Sequence, residues 1–257
     1  MSDKTGNSPF AARTVAVLLT IAIVSFGAVI VLAGWAPELR DRNHAGDHPF
    51  STSALGFNGI VQLLDDQGYP VDVSRLEHRL EGRDWGLMVV TLSPWGMGSK
   101  LQDITLQPTT LIVLPKWIGQ TDPFNARRQR DTRFIQARSL NDLLDDLNID
   151  GEIGRIDVPD RTDTPFGGMA LRPDLKMQVI RSESLVPIAG TDDGILLGKL
   201  DDRDIYVLAD PDMLNTFGLA ERENARFAVQ LMDWLRYDEA EPIIFDATLH
   251  GFIRSEN

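Results

Sequence analysis

Short apolar runs, each closed by a turn signal, set the rhythm of this chain. Ile205–Ala209 ends in Asp210-Pro211-Asp212, and Pro242–Phe245 ends in Asp246. Between them, Glu221–Arg236 carries Asn224, Ala228, Leu231 and Leu235 at helical spacing, with Phe227, Met232 and Trp234 widening the face. Strand, loop, helix, strand predicts a βαβ unit with both strands buried. Two further runs, Gly86–Leu92 and Leu111–Leu114, are stopped by Ser93-Pro94-Trp95-Gly96 and by Pro115. Upstream, Ser51-Thr52-Ser53 offers N-cap oxygens for a helix to about Asp66, and Gly68 ends it. A strand at Tyr69–Val73 and a brief helix at Leu76–Leu80 complete the alternation. This is the rhythm of an α/β domain with a doubly wound, largely parallel sheet.

The rhythm breaks from Lys116 to about Ile188, and the α/β domain at 50–257 is expected to carry an irregular insertion at about 116–190. Within it, Asn125–Arg133 (NARRQRDTR) is basic, Ser139–Leu147 reads as a short helix, and Asp160–Pro173 reads as loop. Met177–Ile180 is a strand candidate. Ile195–Leu200 and Ile205–Leu208, joined by Asp201-Asp202-Arg203-Asp204, predict a hairpin leading back to the core.

A different pattern precedes the domain. After a polar tail at 1–13, Thr14–Ala36 (TVAVLLTIAIVSFGAVIVLAGWA) holds no charge. At about 1.5 Å per residue such a helix spans roughly 34 Å, enough for a bilayer core of about 30 Å. The lipid bilayer is thus the first expected partner, through an uncleaved transmembrane helix. The run exceeds a signal-peptide core, and Pro37 follows the small-residue site Gly34-Trp35-Ala36. A polar connector at 37–49 follows. Lys4 and Arg13 before the span balance Arg40 and Arg42 after it. The acidic bulk of the domain favours an inner (plasma) membrane, single-pass protein with the domain on the outer, periplasmic side.

Composition removes several function classes. The 257-residue chain has a net charge of −13, so no nucleic-acid partner is expected. It has no cysteine, which excludes disulfides, thiolate metal sites and cysteine nucleophiles. It has no G-x-S-x-G nucleophile elbow and no Walker or G-x-G-x-x-G loop.

Open α/β sheets place ligands at the carboxyl ends of their strands. There this sequence puts Asp210, Asp212, Asp246 and His250. Carboxylates with an imidazole suit a divalent metal or acid–base chemistry. They equally suit turn capping, since Asp and Asp-Pro open turns. Asn215, in the loop after Asp210, and Asn224, in the first turn of the following helix, join the same group. The expectation is a ligand or loop-fixing site at Asp210, Asp212, Asn215, Asn224, Asp246 and His250, with no catalytic residue, no metal and no cofactor assigned. Trp95 and Trp117, just past strands, are candidates to line a pocket or, equally, to pack under the insertion. Arg127, Arg128, Arg130 and Arg133 form a basic stretch that suits an acidic partner, lipid headgroups or simple solvation.

Three segments carry a family resemblance: Asp210-Pro211-Asp212-Met213-Leu214-Asn215, Glu223-Asn224-Ala225, and Phe245-Asp246-Ala247-Thr248-Leu249-His250-Gly251. In this order, and over roughly 50–114 and 204–251, the chain resembles the bacterial membrane proteins called domain of unknown function 4350. The resemblance implies an N-terminal transmembrane helix and an α/β domain similar to class I glutamine amidotransferases, in the flavodoxin-like class. It also implies work beside MoxR-type AAA ATPases and von Willebrand-type membrane proteins, and carries no established activity. Ala247 departs from the family's usual Glu, which weakens a catalytic reading. A second membrane helix, common in the family, does not follow before Asn257. The reading that results is a membrane-anchored, non-enzymatic binding or assembly module with a protein partner in the membrane. The alternatives are an accessory subunit of an ABC-type transport system, by fold likeness, or a hydrolase using Asp210, Asp246 and His250.

Overall fold

The structure is a computed structural model that describes residues 12–39, 45–81, 86–94, 97–102, 105–106, 109–158, 164–166 and 176–254. It divides into two compact units, Met1–Arg42 and Asn43–Asn257. The first holds helix α1, Ala12–Leu39. Its described side chains include Val15, Leu19, Ile23, Phe26 and Val29, each half or more exposed. Those of 30–39 lie outside the described residues. Among the described residues no helix is long and apolar enough to cross a membrane. The structure therefore shows a helix over 14–36 and does not show a membrane span.

The second unit is a mixed α/β domain around a nine-stranded sheet. Five strands are parallel: β1 (Val71–Ser74), β2 (Leu87–Thr91), β3 (Thr110–Val113), β10 (Ile205–Leu208) and β11 (Ile243–Asp246). They lie in the order β1-β11-β2-β3-β10. Val89 pairs with Leu111 and Phe245, and Val207 with Ile112. Antiparallel strands then extend the sheet beyond β10: β9 (Gly194–Leu200), β7 (Lys176–Arg181) and β6 (Glu152–Asp157), with β8 (Leu185–Thr191) also on β9.

Strand side chains alternate between two cores, as the pleat requires. Leu87, Val89, Leu111, Val113, Ile243 and Phe245 face the core of α2 (Asn58–Asp66) and α6 (Arg222–Leu235). Met88, Val90, Ile112, Val207 and Ile244 face the core of α3 (His78–Glu81), α4 (Met97–Gln102) and α5 (Ala137–Asp146). With both faces covered, these strands read as continuous apolar runs, and each expected run appears within a residue or two of its place.

Three expectations change. The strands of the expected βαβ unit, β10 and β11, are parallel but not neighbours, because β2 and β3 lie between them. The helix expected from Ser51 begins at Asn58. Ser51 and Ser53 instead bond each other, Oγ to Oγ at 2.9 Å, inside a buried turn. That turn closes on Gly56, where a Cβ would lie 2.1 Å from the Ser51 carbonyl oxygen. Finally, the stretch from Lys116 onward is not irregular. It holds a two-stranded ribbon of β4 (Trp117–Asp122) and β5 (Asn125–Phe134), then α5 and β6 to β8. The ribbon is polar, so its backbone ladder forms without the alternating apolar pattern that reveals a strand. Of the loop expected at 160–173, only 164–166 lies within the described residues.

Candidate functional site

After β3 the chain passes through the ribbon to α5, on one face of the sheet; after β10 it passes to α6, on the other. Adjacent parallel strands whose connections part in this way open a crevice at their carboxyl ends, where such folds hold ligands. Here the chain fills that crevice itself.

Lys116 lies three residues past the end of β3 and is wholly buried. Its Nζ donates to Asp210 Oδ2 at 2.7 Å and to Asp212 Oδ2 at 2.6 Å, both also wholly buried. Asp210 follows β10, and Pro211–Met213 forms a single 3-10 turn. Proline starts that turn because it needs no backbone donor there. Asp210 Oδ1 accepts from the Asp212 amide at 3.0 Å, and its Oδ2 also accepts from the Gln178 amide at 2.8 Å. Asp212 Oδ1 accepts from Trp117 Nε1 at 2.8 Å and from Asn215 Nδ2 at 2.7 Å. Each of the four carboxylate oxygens is thus engaged.

The network continues outward. Asn215 Oδ1 accepts from the Gly218 amide at 2.8 Å, and Asn224 Nδ2 donates to the Gly218 carbonyl at 3.1 Å. A Cβ on Gly218 would sit 1.5 Å from the Asp212 carbonyl oxygen, so this approach requires glycine. Gln178 Nε2 ties the ends of β3 and β10 together through the carbonyls of Pro115, at 3.0 Å, and Ala209, at 2.7 Å. Trp117 stacks on Phe134, with ring centroids 4.4 Å apart.

Burial pushes the Asp210 carboxyl up to about 6; the Lys116 ammonium opposes that shift and Asp212 adds to it. Burial draws the Lys116 ammonium down, but the charges of Asp210 and Asp212 outweigh it, and its pKa is raised. Both shifts leave the pair ionised at neutral pH. The cleft beside Lys116, Trp117, Pro211 and Asn215 has a volume of about 10 Å³, room for about one water.

Asp246 and His250 stand elsewhere. β11 is three strand positions from β10, roughly 14 Å at the usual strand spacing. Asp246 accepts from the Thr248 hydroxyl at 2.7 Å and from the amides of Thr248 at 3.2 Å and Leu249 at 3.1 Å. Burial raises its pKa, and these donors oppose the shift. His250 Nε2 lies 2.9 Å from both the carbonyl and the hydroxyl of Thr91, at the end of β2. A carbonyl only accepts, so Nε2 carries the proton, and Nδ1 faces Asp47 Oδ1 at 4.0 Å. Burial pushes the imidazole down to about 3, and the His48 ring adds to the shift. Burial likewise pushes Asp47 up to about 6.

The structure therefore joins Asp210, Asp212, Asn215 and Asn224 in one network; Asp246 caps a separate turn, and His250, held by Thr91, lies beside Asp47, which also lines the cleft next to Lys116. Among the described residues no group of three or more His, Asp or Glu side chains is placed to hold a metal ion. Trp95 lies outside the described residues. Sequence reasoning missed Lys116 as the centre of the network, and with it Gln178, Asp47 and His48. The available signal was a lysine directly after an apolar strand, opposite an Asp-Pro-Asp turn. A larger open groove, of about 830 Å³, runs between α3 and the loop after β11, with Glu77, Lys100 and Arg254 on its walls.

No curated protein matches the chain. Residues 49–232 match the family model described as Domain of unknown function (DUF4350). That match spans most of the α/β domain, from the buried turn before α2 through most of α6. The chain belongs to the DUF4350 family.

Proposed function

We propose that this protein is a membrane-anchored binding or assembly module, without a reaction of its own, that holds a protein partner at the inner membrane. Helix α1 is its single span, and the α/β domain lies on the periplasmic side. The domain is amidotransferase-like in fold, and a MoxR-type AAA ATPase system is the partner that the family resemblance implies. One observation carries the reading: the crevice at the ends of β3 and β10 is filled by Lys116, Asp210 and Asp212, whose polar atoms are spent on one another. Room for about one water remains there, which accommodates no substrate. The anchor rests on the uncharged run at 14–36, which falls within α1. The hydrolase reading is weaker, since Asp210 lies three strand positions from Asp246, and His250 is engaged by Thr91.

The test is fractionation followed by affinity capture. The full chain should stay in membranes through high-salt and carbonate washes. Capture from detergent-solubilised membranes, read by mass spectrometry, should return a defined membrane partner. Release by carbonate would overturn the anchor. Hydrolysis in a broad ester and amide substrate screen, lost on Asp246→Ala, would overturn the non-enzymatic reading.

A further inference from the structure

The ribbon of β4 and β5 forms a sheet of its own, separate from the nine-stranded one. Its turn is fixed by Asp122, whose Oδ1 accepts from the Phe124 amide at 2.8 Å, with Pro123 between them. This local bond sets the turn without help from the core. It presents Phe124 at 95% exposure, the most exposed large apolar side chain among the described residues. Behind the tip, β5 carries Arg127, Arg128, Arg130 and Arg133, all exposed. Among the described residues Arg130 has only its neighbour Asp131, at 3.9 Å, as an ion-pair partner. Arg127, Arg128 and Arg133 have none among the described residues.

Charge marks this ribbon out. Over 117–134 the sequence has four arginines against Asp122 and Asp131, a balance of +2 in a chain of −13. An anionic surface repels such a chain as a whole, so it can be approached through a local cationic point within about a Debye length. The apolar component is a single aromatic ring on a projecting turn. Such a ring buries itself by entering a deformable phase that closes around it. Arginine suits the rim of that contact, because its fork pairs with phosphate oxygens.

We infer that the tip of the β4–β5 ribbon docks on an anionic lipid surface, with Phe124 among the headgroups and the arginines at lipid phosphates. A long polyanion such as nucleic acid fits less well, since it would run on over the acidic remainder of the domain. This inference does not depend on the proposed partner or on α1, because the test reads the ribbon itself.

The chain has no cysteine, so Asn125→Cys gives one labelling position beside Phe124 for an environment-sensitive fluorophore. The labelled full chain is reconstituted with vesicles of phosphatidylcholine, or of phosphatidylcholine with about a third phosphatidylglycerol. Flotation reports attachment of the chain by any route, and the label reports the tip. With phosphatidylglycerol the emission should shift to the blue and be quenched by spin-labelled lipid; with phosphatidylcholine alone it should stay as in water. Each arginine near such a surface is worth about fivefold in partitioning. Arg128→Gln with Arg130→Gln should therefore cut the docked fraction by more than tenfold, and Phe124→Ala should remove the blue shift. A label that stays water-like on anionic vesicles overturns the inference, even if the chain floats. So does a shift equal on both vesicle types, or one that needs an added protein rather than lipid. A shifted label on a chain that does not float would arise away from the vesicle and would overturn the inference too.

Discussion

Lys116 Nζ lies 2.7 Å from Asp210 Oδ2 with both side chains wholly out of contact with solvent. An ion pair so placed adds little over a well-packed apolar pair, but losing one partner strands the other charge. Here Lys116 answers two carboxylates, so the loss is larger in one direction.

Lys116→Met is expected to destabilise the α/β domain by about 3–5 kcal/mol near neutral pH. For a domain of this size that lowers Tm on the order of 10 °C. The sign with pH is fixed. Asp210 already titrates near 6 in the folded state, above its ordinary value. Without the ammonium it titrates higher still, so the variant binds its proton first and recovers as pH falls toward 6, where the parent's Asp210 is protonated as well. Denaturant unfolding of both proteins at about pH 7.5 and about pH 5 should show the deficit shrinking at the lower pH. A deficit that grows on acidification would contradict the pairing described.

Asp246→Ala removes an acceptor from two amides and one hydroxyl in the turn after β11. A loss of about 1–3 kcal/mol is expected from those stranded donors. EDTA, manganese and zinc should change the melting of neither parent nor variant. Metal stabilisation of the parent that disappears in the variant would instead identify a ligand carboxylate.

His250 offers a pH signature. Its folded pKa, about 3, lies below the ordinary 6.5. Between those values the unfolded chain binds the proton and the folded one does not, so its contribution is full above 6.5 and lost as pH falls toward 3. Asp47 and Asp210, raised from 3.8 to about 6, act in the opposite sense over 3.8 to 6. The difference between parent and His250→Gln isolates the imidazole. That difference should favour the parent most above pH 6.5 and fall steadily below it. A flat difference would mean that the ring is not held neutral.

The buried strands were legible because two covered faces demand unbroken apolar runs: Val89 and Val90, Ile112 and Val113, Ile243 and Ile244 all landed in the core. The ribbon was not, since TD and NARRQRDTR satisfy a backbone ladder without any apolar period. The Asp210, Asp212, Asn215 group was legible because its members are near in sequence and belong to one turn. Lys116 lies 94 residues from Asp210 along the chain, and no local pattern reports such a pairing. The expected meeting of Asp246 with Asp210 failed for a related reason. Apolar runs say that strands exist, but not which strands are neighbours. The Ser51 and Ser53 hydroxyls, read as caps, show that the same residues serve a turn equally well.

The placing of β11 between β1 and β2 has a consequence for how the chain is made. Among the described residues β1 pairs with β11 alone, and β2 with β11 on one side and β3 on the other. During synthesis the first strand emerges long before the strand that holds it, and waits with α2 until residues 243–246 leave the ribosome. A transcript cut short before Ile243 loses the purchase of β1 as well as β11, and bares the buried, mostly apolar edge of Leu87–Thr91. Such an edge invites pairing with other chains. Products that end between α6 and Ile243 should therefore be aggregation-prone species rather than slightly shortened domains.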